Sequence, residues 1–204
     1  MRLRRSLSIG SGLTDSPTVA AAAGLLLLAV GPLVTPSLGS QSIGCSAQAY
    51  AITPQRRALL NTIRYAEGTW KQGQAGYRTL YGGEQFSSLE RHPERLVVKR
   101  YASAAAGAYQ FLPTTWREAA TKLELESFNP QNQDQAALYL IDRRGVLEQI
   151  DRQGLTRQSM AVLAKEWASF PNLAGQSAYG QPVKQAVNLE RFYRTNLKTL
   201  VAQA

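Results

Sequence analysis

Glu67 is the residue of this chain whose position points most directly to chemistry. It lies four residues after Ile63 and seven after Leu60, so a helix through this segment places all three side chains on one face. A carboxyl on that apolar face loses hydration, which favours its protonated form, and the carbonyl end of the helix acts in the same direction. Such a carboxyl can serve as a general acid near neutral pH. The alternative is a frayed helix end with Glu67 turned into water.

Few other residues could share this chemistry. Glu84 follows the pair Gly82-Gly83 and is the candidate for a second carboxylate, although we favour a role in stabilising the turn. The only histidine is His92 and the only cysteine is Cys45, which argues against a zinc site. No segment resembles a serine-histidine-aspartate set, a phosphate loop or a calcium loop, so we expect neither a metal nor another cofactor.

The element that positions Glu67 is predicted to be a helix that ends at about residue 66. Thr53 followed by Pro54 is typical of a helix start, because the threonine side chain caps the first turn and proline fits its first position. Gly68 is typical of a helix end. These signals place Glu67 at the carboxyl end of the helix.

A small β-structure and four further helices are predicted after this point. Residues 77–81 and 84–88 flank the Gly-Gly pair and predict a hairpin with a tight turn, and residues 96–98 could add a short strand. Apolar residues then recur with helical spacing in four segments. These helices are predicted to start at Pro113, to run from Asn129 to Gly145, to run from Thr156 to Trp167, and to start near Pro182.

The order of these elements predicts an α+β fold that is mainly helical. The hairpin is inserted after the first helix, so hairpin and helices would form two lobes with a cleft between them. Glu67 would then lie at the junction of the lobes. Trp116 and Trp167 lie on apolar helical faces and are assigned to the core, whereas Trp70 follows the first helix and could be core or cleft.

The first 51 residues are typical of an export signal rather than of a folded domain. Arg2, Arg4 and Arg5 precede an uncharged apolar run over residues 19–34, and Ala49-Tyr50-Ala51 matches a cleavage pattern. We therefore expect a leader over residues 1–51, cleavage near Ala51, an exported catalytic domain over residues 52–204, and a location in the periplasm, cell envelope or medium. An uncleaved membrane anchor and lipidation at Cys45 are the alternatives.

The predicted mature part is strongly basic. Residues 52–204 hold 20 lysines and arginines against 13 acidic residues, a net charge of +7. This charge implies an anionic partner such as a cell wall, a lipid surface or a nucleic acid. The basic residues are scattered rather than clustered, and the leader directs the chain out of the cell, so nucleic acid is disfavoured. We expect a monomer that touches a membrane only through an uncleaved leader.

Several motifs occur in the order found in the lysozyme-like family of the bacteriophage lambda endolysin, which this chain resembles over about residues 55–200. The segment Phe170–Tyr179 is a few residues longer than the family pattern. The motifs are Tyr65-Ala66-Glu67-Gly68-Thr69, Gly76-Tyr77, Gly82-Gly83-Glu84-Gln85-Phe86, His92-Pro93, Ala106-Gly107-Ala108-Tyr109-Gln110, Gln133-Asp134, Trp167-Ala168-Ser169-Phe170-Pro171 and Tyr179-Gly180-Gln181.

The resemblance implies a lysozyme-like fold, peptidoglycan glycan strands as the substrate, and Glu67 as the catalytic glutamate. It also implies substrate contacts from two further segments. Tyr109 and Gln110 would line the cleft opposite the glutamate, and Tyr179 and Gln181 would close it from the carboxyl-terminal side. Ser103 matches a family position near the cleft, where it either binds substrate or is an ordinary loop serine.

The family activity is that of a lytic transglycosylase, which one carboxyl can perform. The resemblance implies cleavage of the β-1,4 bond between N-acetylmuramic acid and N-acetylglucosamine, with the muramic acid 6-hydroxyl as the nucleophile and a 1,6-anhydro sugar as the product. A hydrolytic muramidase is the first alternative, and it would need a second carboxylate such as Glu84. The second alternative is a wall-binding domain without catalysis.

Overall fold

Helices dominate residues 49–203, the part of the chain that the computed structural model describes. The predictions made for residues 1–48, including lipidation at Cys45, lie outside this part. Residues 49–203 hold six α-helices, one 3₁₀ helix and one two-stranded sheet, which confirms the mainly helical α+β prediction. They are α1 (Pro54–Ala66), the 3₁₀ helix (Trp70–Arg78), β1 (Val97–Val98), β2 (Ala102–Ser103), α2 (Pro113–Leu123), α3 (Pro130–Arg143), α4 (Leu147–Gln153), α5 (Arg157–Leu163) and α6 (Ala186–Ala202).

The helix α1 has the start and the end that its sequence predicts. The Thr53 side chain accepts a hydrogen bond from the Arg56 backbone N–H at 3.3 Å, and Pro54 occupies the first helical position. At the other end, Gly68 takes a φ of +80°, where a side chain would be strained. Both signals are local, so the sequence alone sets the length of this helix.

The helix α1 also runs through the centre of the domain. It packs mainly against α6 and also contacts the 3₁₀ helix, α3 and α4. Leu59, Leu60 and Ile63 are fully buried. The buried Asn61 side chain of α1 has a partner, because its amide donates to the Asn196 side-chain oxygen at 3.0 Å. Surrounding α1 with other elements fixes the position of its carboxyl end. Within residues 49–203, no helix has the length and apolar character needed to cross a bilayer.

The hairpin is shorter than predicted. The 3₁₀ helix extends to Arg78, so only a single antiparallel bridge, Thr79 with Gln85, joins the two predicted strands. The tight turn is present, because the Leu80 N–H donates to the Glu84 carbonyl at 2.7 Å. The regular sheet is formed by β1 and β2 instead, with antiparallel pairing. The predicted strand at residues 96–98 is therefore confirmed in position.

Two helix boundaries and one whole helix differ from the prediction. The seven-residue α4 was not predicted, because two buried apolar residues, Leu147 and Ile150, are too few for a periodic signal. The helix α5 ends at Leu163 rather than at Trp167. The helix α6 begins at Ala186 rather than near Pro182.

Within the described part of the chain, Tyr50 already contacts the domain, two residues before the predicted boundary at Ile52. The Tyr50 N–H donates to the Gln135 side-chain oxygen at 2.8 Å, and the Gln135 amide donates back to the Tyr50 carbonyl at 2.9 Å. The Tyr50 hydroxyl also donates to Asp142 at 3.0 Å. Cleavage after Ala51 would remove all three of these contacts with α3.

His92 is buried with both ring nitrogens in hydrogen bonds to the backbone. Its Nδ1 accepts from the Glu94 N–H at 3.1 Å, so the ring proton lies on Nε2 and is donated to the Phe111 carbonyl at 2.9 Å. Burial lowers the pKa of His92 below its usual range. The ring is a structural element that joins the loop after the hairpin to the loop before α2.

We expect His92 to reduce stability in acid. The unfolded chain binds a proton at about pH 6.5, whereas the folded chain resists it, so stability is lost as the pH falls below that value. His92→Gln retains a donor and an acceptor but cannot become charged. The melting temperature of the wild type should fall more than that of the variant between pH 7.5 and pH 5. Equal pH dependence of the two proteins would contradict this role.

Candidate active site

Glu67 caps the carboxyl end of α1 and remains part of the helical hydrogen-bond pattern. Its N–H donates to the Ile63 carbonyl at 2.9 Å, so the helix does not fray before it. The Glu67 carboxyl is half-buried, and its Oε1 accepts a hydrogen bond from the Ser169 hydroxyl at 2.6 Å. Ser169 comes from the segment between α5 and α6, so two distant parts of the chain meet at this carboxyl.

The environment of Glu67 tunes its protonation to neutral pH. Burial raises the pKa of Glu67 from 4.5 to about 7, and the hydrogen bond from Ser169 opposes the rise by stabilising the ionised form. The rise expected from the sequence is therefore present. A group with this pKa can donate a proton and take one back within a single reaction at neutral pH.

A tight loop, Gly107–Gln110, is held by side chains from three other parts of the chain. The Thr69 hydroxyl donates to the Ala108 carbonyl at 2.6 Å, and the Trp167 indole donates to the Tyr109 carbonyl at 3.1 Å. From α3, the Gln133 side chain accepts from the Ala108 N–H at 2.9 Å. These contacts fix a loop that has no regular secondary structure of its own.

Comparison with known proteins identifies a family and relatives that this chain resembles in sequence. The endolysin family model matches residues 57–200. The endolysin of Escherichia phage lambda is 38% identical over 136 residues, covering 64% of this chain and 83% of that protein. The endolysin of Escherichia phage P2 is 34% identical over 153 residues, covering 68% and 90%.

This chain belongs to the endolysin family.

Solved structures give the same result for the fold. The bacteriophage lambda lysozyme complexed with a chitohexasaccharide has a TM-score of 0.66 and 34% identity, covering 72% of this chain and 96% of that one. A second structure of the bacteriophage lambda lysozyme has a TM-score of 0.59 and 31% identity, covering 75% and 96%. The lysozyme-like fold predicted from the resemblance is confirmed.

A buried carboxylate, Asp134, joins several parts of this endolysin-family chain. Its Oδ1 accepts from the Tyr77 hydroxyl at 2.8 Å and from the Tyr109 hydroxyl at 2.5 Å, and its Oδ2 accepts from Arg57 at 2.6 Å. The three donors come from the 3₁₀ helix, the Gly107–Gln110 loop and α1. Asp134 therefore ties three elements of the site to α3.

The expectation that Tyr109 lines the cleft is wrong. Its side chain is fully buried, and its hydroxyl is used by Asp134. Burial, followed by the neighbouring carboxylate, raises the pKa of Tyr109 well above its usual range, so the hydroxyl stays protonated and continues to donate. Tyr109 therefore holds the loop in place and has no surface with which to touch a sugar.

Gln110 is half-buried and has a φ of +49°, which is strained for a residue with a side chain. Its side-chain nitrogen donates to the carbonyls of Thr79 at 3.1 Å and Gly107 at 3.0 Å. Both contacts of the nitrogen therefore support the loop. Substrate binding by Gln110 would have to use its remaining surface and its side-chain oxygen.

The other predicted residues differ in exposure. Ser103 is half-buried in β2, and its hydroxyl accepts from the Ala105 N–H at 3.1 Å. Tyr179 is 59% exposed, and its hydroxyl donates to the Lys165 carbonyl at 2.8 Å. Gln181 is exposed. Glu67 and Tyr109 are the predicted site residues whose pKa is raised, and of these two Tyr109 is fully buried.

Glu84 is exposed and forms an ion pair with Arg95 at 3.2 Å. Among the described residues, no hydrogen bond or ion pair connects Glu84 with Glu67. No group of three or more histidine, cysteine, aspartate or glutamate side chains within residues 49–203 could hold a metal ion.

Sequence reasoning missed two residues of the site. Ser169 and Asp134 both lie within motifs shared with the family, but neither residue type nor local spacing gave them a role. Serine and aspartate are common in loops and on helix surfaces, and their partners lie 102 and 25 or more residues away in the chain. Only contacts across the fold reveal them. Trp116 and Trp167 are buried, as predicted.

Gly107 leaves no space for a side chain, and we expect Gly107→Ala to destabilise the domain. An added Cβ would clash with the Gln133 side-chain oxygen and would meet Phe128 at 2.8 Å, and the φ of +81° adds strain. We expect a loss of more than about 3 kcal/mol in the free energy of unfolding, measured with urea. Gly83→Ala is the control, because Gly83 also has a positive φ but open space around it, and should lose only about 1 kcal/mol. Similar losses in both variants would show that strain, not the clash, dominates.

The hydroxyl of Ser169 should set the upper pH limit of the site. Ser169→Ala removes a hydrogen bond to the ionised carboxyl, so the pKa of Glu67 should rise further. The alkaline side of the pH–rate profile for peptidoglycan cleavage should move to higher pH, because Glu67 then stays protonated up to a higher pH. Ser177→Ala, which removes a hydroxyl donating to the Ala168 carbonyl at 3.1 Å, is the matched control. An unchanged alkaline limb in Ser169→Ala would refute this role.

Proposed function

We propose that this chain is a peptidoglycan-degrading, lysozyme-like glycosidase that cleaves the β-1,4 bond between N-acetylmuramic acid and N-acetylglucosamine as a lytic transglycosylase. The observation that carries the proposal is the Glu67 carboxyl, whose pKa is about 7 and whose Oε1 receives the Ser169 hydroxyl. Membership of the endolysin family supports the substrate class. The chitohexasaccharide in the lambda lysozyme structure supports binding of a glycan.

The reaction begins with Glu67 in its protonated form. The carboxyl donates its proton to the glycosidic oxygen while the bond to the anomeric carbon of muramic acid breaks, through an oxocarbenium-like state. The released sugar leaves with a hydroxyl group. Glu67 is now ionised, and the Ser169 hydrogen bond stabilises that form.

The second step returns the proton to Glu67. The 6-hydroxyl of the same muramic acid attacks the anomeric carbon, and the Glu67 carboxylate takes the proton of this hydroxyl. The products are a free 4-hydroxyl on one sugar and a 1,6-anhydro ring on the other, so no water is consumed. A pKa near 7 suits both steps, because the same group must be an acid first and a base afterwards.

The surroundings of Glu84 favour this route over hydrolysis. A hydrolytic enzyme of the usual kind needs a second carboxylate that acts on water or on the anomeric carbon. Glu84 is the sequence candidate, but its carboxylate is exposed and paired with Arg95. The hydrolytic muramidase and the wall-binding domain remain the competing functions, and the product analysis below separates all three.

The remaining parts of the proposal follow from charge and from the leader. The net charge of +7 over residues 52–204 suits an anionic wall and steers the protein towards it. We propose a monomeric enzyme, exported by the segment 1–51, without a metal or other cofactor and without nucleic acid as a partner. Substrate contacts are assigned to Gln110, Ser103, Tyr179 and Gln181.

Glu67→Gln should abolish turnover and leave the fold intact. Glutamine has nearly the same shape, but it cannot donate and recover a proton. The wild type should release soluble muropeptides that carry 1,6-anhydro ends, which are one water lighter than hydrolysis products, and mass spectrometry of digested peptidoglycan detects them. Ordinary reducing ends would make the enzyme a hydrolase. Release that persists in Glu67→Gln would remove Glu67 from catalysis.

The same variant has an internal control for folding. Since burial raises the pKa of Glu67, ionisation of this carboxyl disfavours the folded state as the pH rises from about 4.5 through 7. Glu67→Gln should therefore melt at a temperature at least as high as that of the wild type at pH 8, and the difference should shrink towards pH 4. A strongly lowered melting temperature at pH 8 would mean that lost activity reflects lost structure.

A further inference from the structure

We propose that Glu166 is a positioning residue for the active site, acting through the segment that carries Ser169. Its carboxylate anchors this segment to α3, and the anchored segment presents the Ser169 hydroxyl to Glu67. The consequence for catalysis rests on the function proposed above. The consequence for the ionisation of Glu67 does not, and it can be measured without substrate.

The Glu166 carboxylate is enclosed by two guanidinium groups. Its Oε1 accepts from Arg143 Nη2 at 2.6 Å and from Arg144 Nε at 2.6 Å. The side chain of Glu166 is only 6% exposed, whereas the arginines are 30% and 32% exposed. Arg143 also pairs with Glu118 on α2, so charges of alternating sign form one network. Charge-assisted hydrogen bonds of this length are among the stronger polar contacts in proteins.

The arginines belong to the end of a rigid helix. Arg143 is the last residue of α3 and Arg144 caps it. The same helix carries Gln133 and Asp134, which hold the Gly107–Gln110 loop. The helix α3 thus contacts the Gly107–Gln110 loop directly, and through Glu166 it also contacts the segment that carries Ser169.

The segment that Glu166 anchors has no regular secondary structure. The helix α5 ends at Leu163, and turns connect it to Phe170. Within this stretch the Trp167 indole donates to the Tyr109 carbonyl at 3.1 Å, and Ser169 donates to Glu67 at 2.6 Å. Glu166 is adjacent to Trp167 and three residues from Ser169, so displacement of its carboxylate is transmitted along a few bonds.

Few other groups influence the ionisation of Glu67. Burial raises its pKa and the Ser169 hydroxyl lowers it, and no charged side chain of the described residues is a further cause. Glu166, Arg143, Arg144 and Glu118 are not themselves causes of the shift, so we infer that they act on Glu67 through the segment that carries Ser169. The pKa of Glu67 therefore reports on the position of this segment.

The decisive experiment measures the pKa of Glu67 by NMR in the full-length chain labelled with ¹³C-glutamate, with Glu67→Gln to assign the signal. We expect Glu166→Gln to raise the pKa of Glu67 by about 0.4 to 1 unit, the equivalent of one lost hydrogen bond. The variant keeps the shape of the side chain but removes the charge between the two arginines. The melting temperature is recorded in parallel, and Arg144→Gln tests the same contact if Glu166→Gln does not fold.

Glu118→Gln is the matched control. It removes a carboxylate from the same network, but Glu118 is 48% exposed and lies on α2, outside the anchored segment. We expect the pKa of Glu67 to remain at its wild-type value in this variant. A shift equal to that of Glu166→Gln would mean that the network acts through its overall charge, and it would overturn the positioning role.

A double variant tests whether Glu166 acts through Ser169. In Ser169→Ala the hydrogen bond is already absent, so adding Glu166→Gln should cause no further shift in the pKa of Glu67. The proposal would be refuted if Glu166→Gln shifted the pKa of Glu67 equally with and without Ser169→Ala. It would also be refuted if Glu166→Gln alone lowered the melting temperature but left the pKa of Glu67 unchanged. If the shift occurs but the pH–rate profile of peptidoglycan cleavage does not follow it, the positioning role stands and the proposed function of Glu67 fails.

Discussion

The hydrogen bonds of the buried Asp134 carboxylate hold together the elements that surround the candidate active site. This carboxylate accepts hydrogen bonds from Tyr77, Tyr109 and Arg57, which lie on three separate elements. An ionised group inside a protein is tolerated only when such partners surround it, and removal of one partner leaves a costly charge. The requirement of Asp134 for all three donors therefore fixes the 3₁₀ helix, the Gly107–Gln110 loop and α1 relative to α3.

The Glu67 carboxyl experiences two opposing effects. Burial at the end of α1 raises the pKa of Glu67, and the Ser169 hydroxyl limits the rise, so that the result is about 7. A fully dry site would hold the proton too tightly for the second step of a transglycosylase, and an exposed site would lose it before the first. The Ser169 hydroxyl, on a segment without regular secondary structure, thus lowers a pKa that burial at the end of α1 has raised. We propose that Glu166 anchors this segment.

Local signals explain which parts of the fold could be predicted. The helices α1, α3 and α5 start at Thr53, Asn129 and Thr156, each of which caps its helix with its own side chain. The incorrect boundaries lie where distant segments meet. After Leu163 the chain leaves helical geometry, and the Trp167 indole donates to the Tyr109 carbonyl. Before α6, the Lys184 N–H donates to the Ser169 carbonyl at 3.0 Å. The predicted hairpin included Tyr77, whereas in the structure Tyr77 lies in the 3₁₀ helix and its hydroxyl donates to Asp134.

The sequence by itself determined that Glu67 would end a helix on its apolar face, because apolar spacing and end signals are properties of adjacent residues. It also indicated the family, through motifs in a fixed order. Only the tertiary structure decided what surrounds that carboxyl. Ser169, which donates to Glu67, lies 102 residues away in the chain. Tyr109, predicted to line the cleft, is fully buried. Hydrogen bonds between distant segments depend on how the whole core packs, which no local pattern encodes.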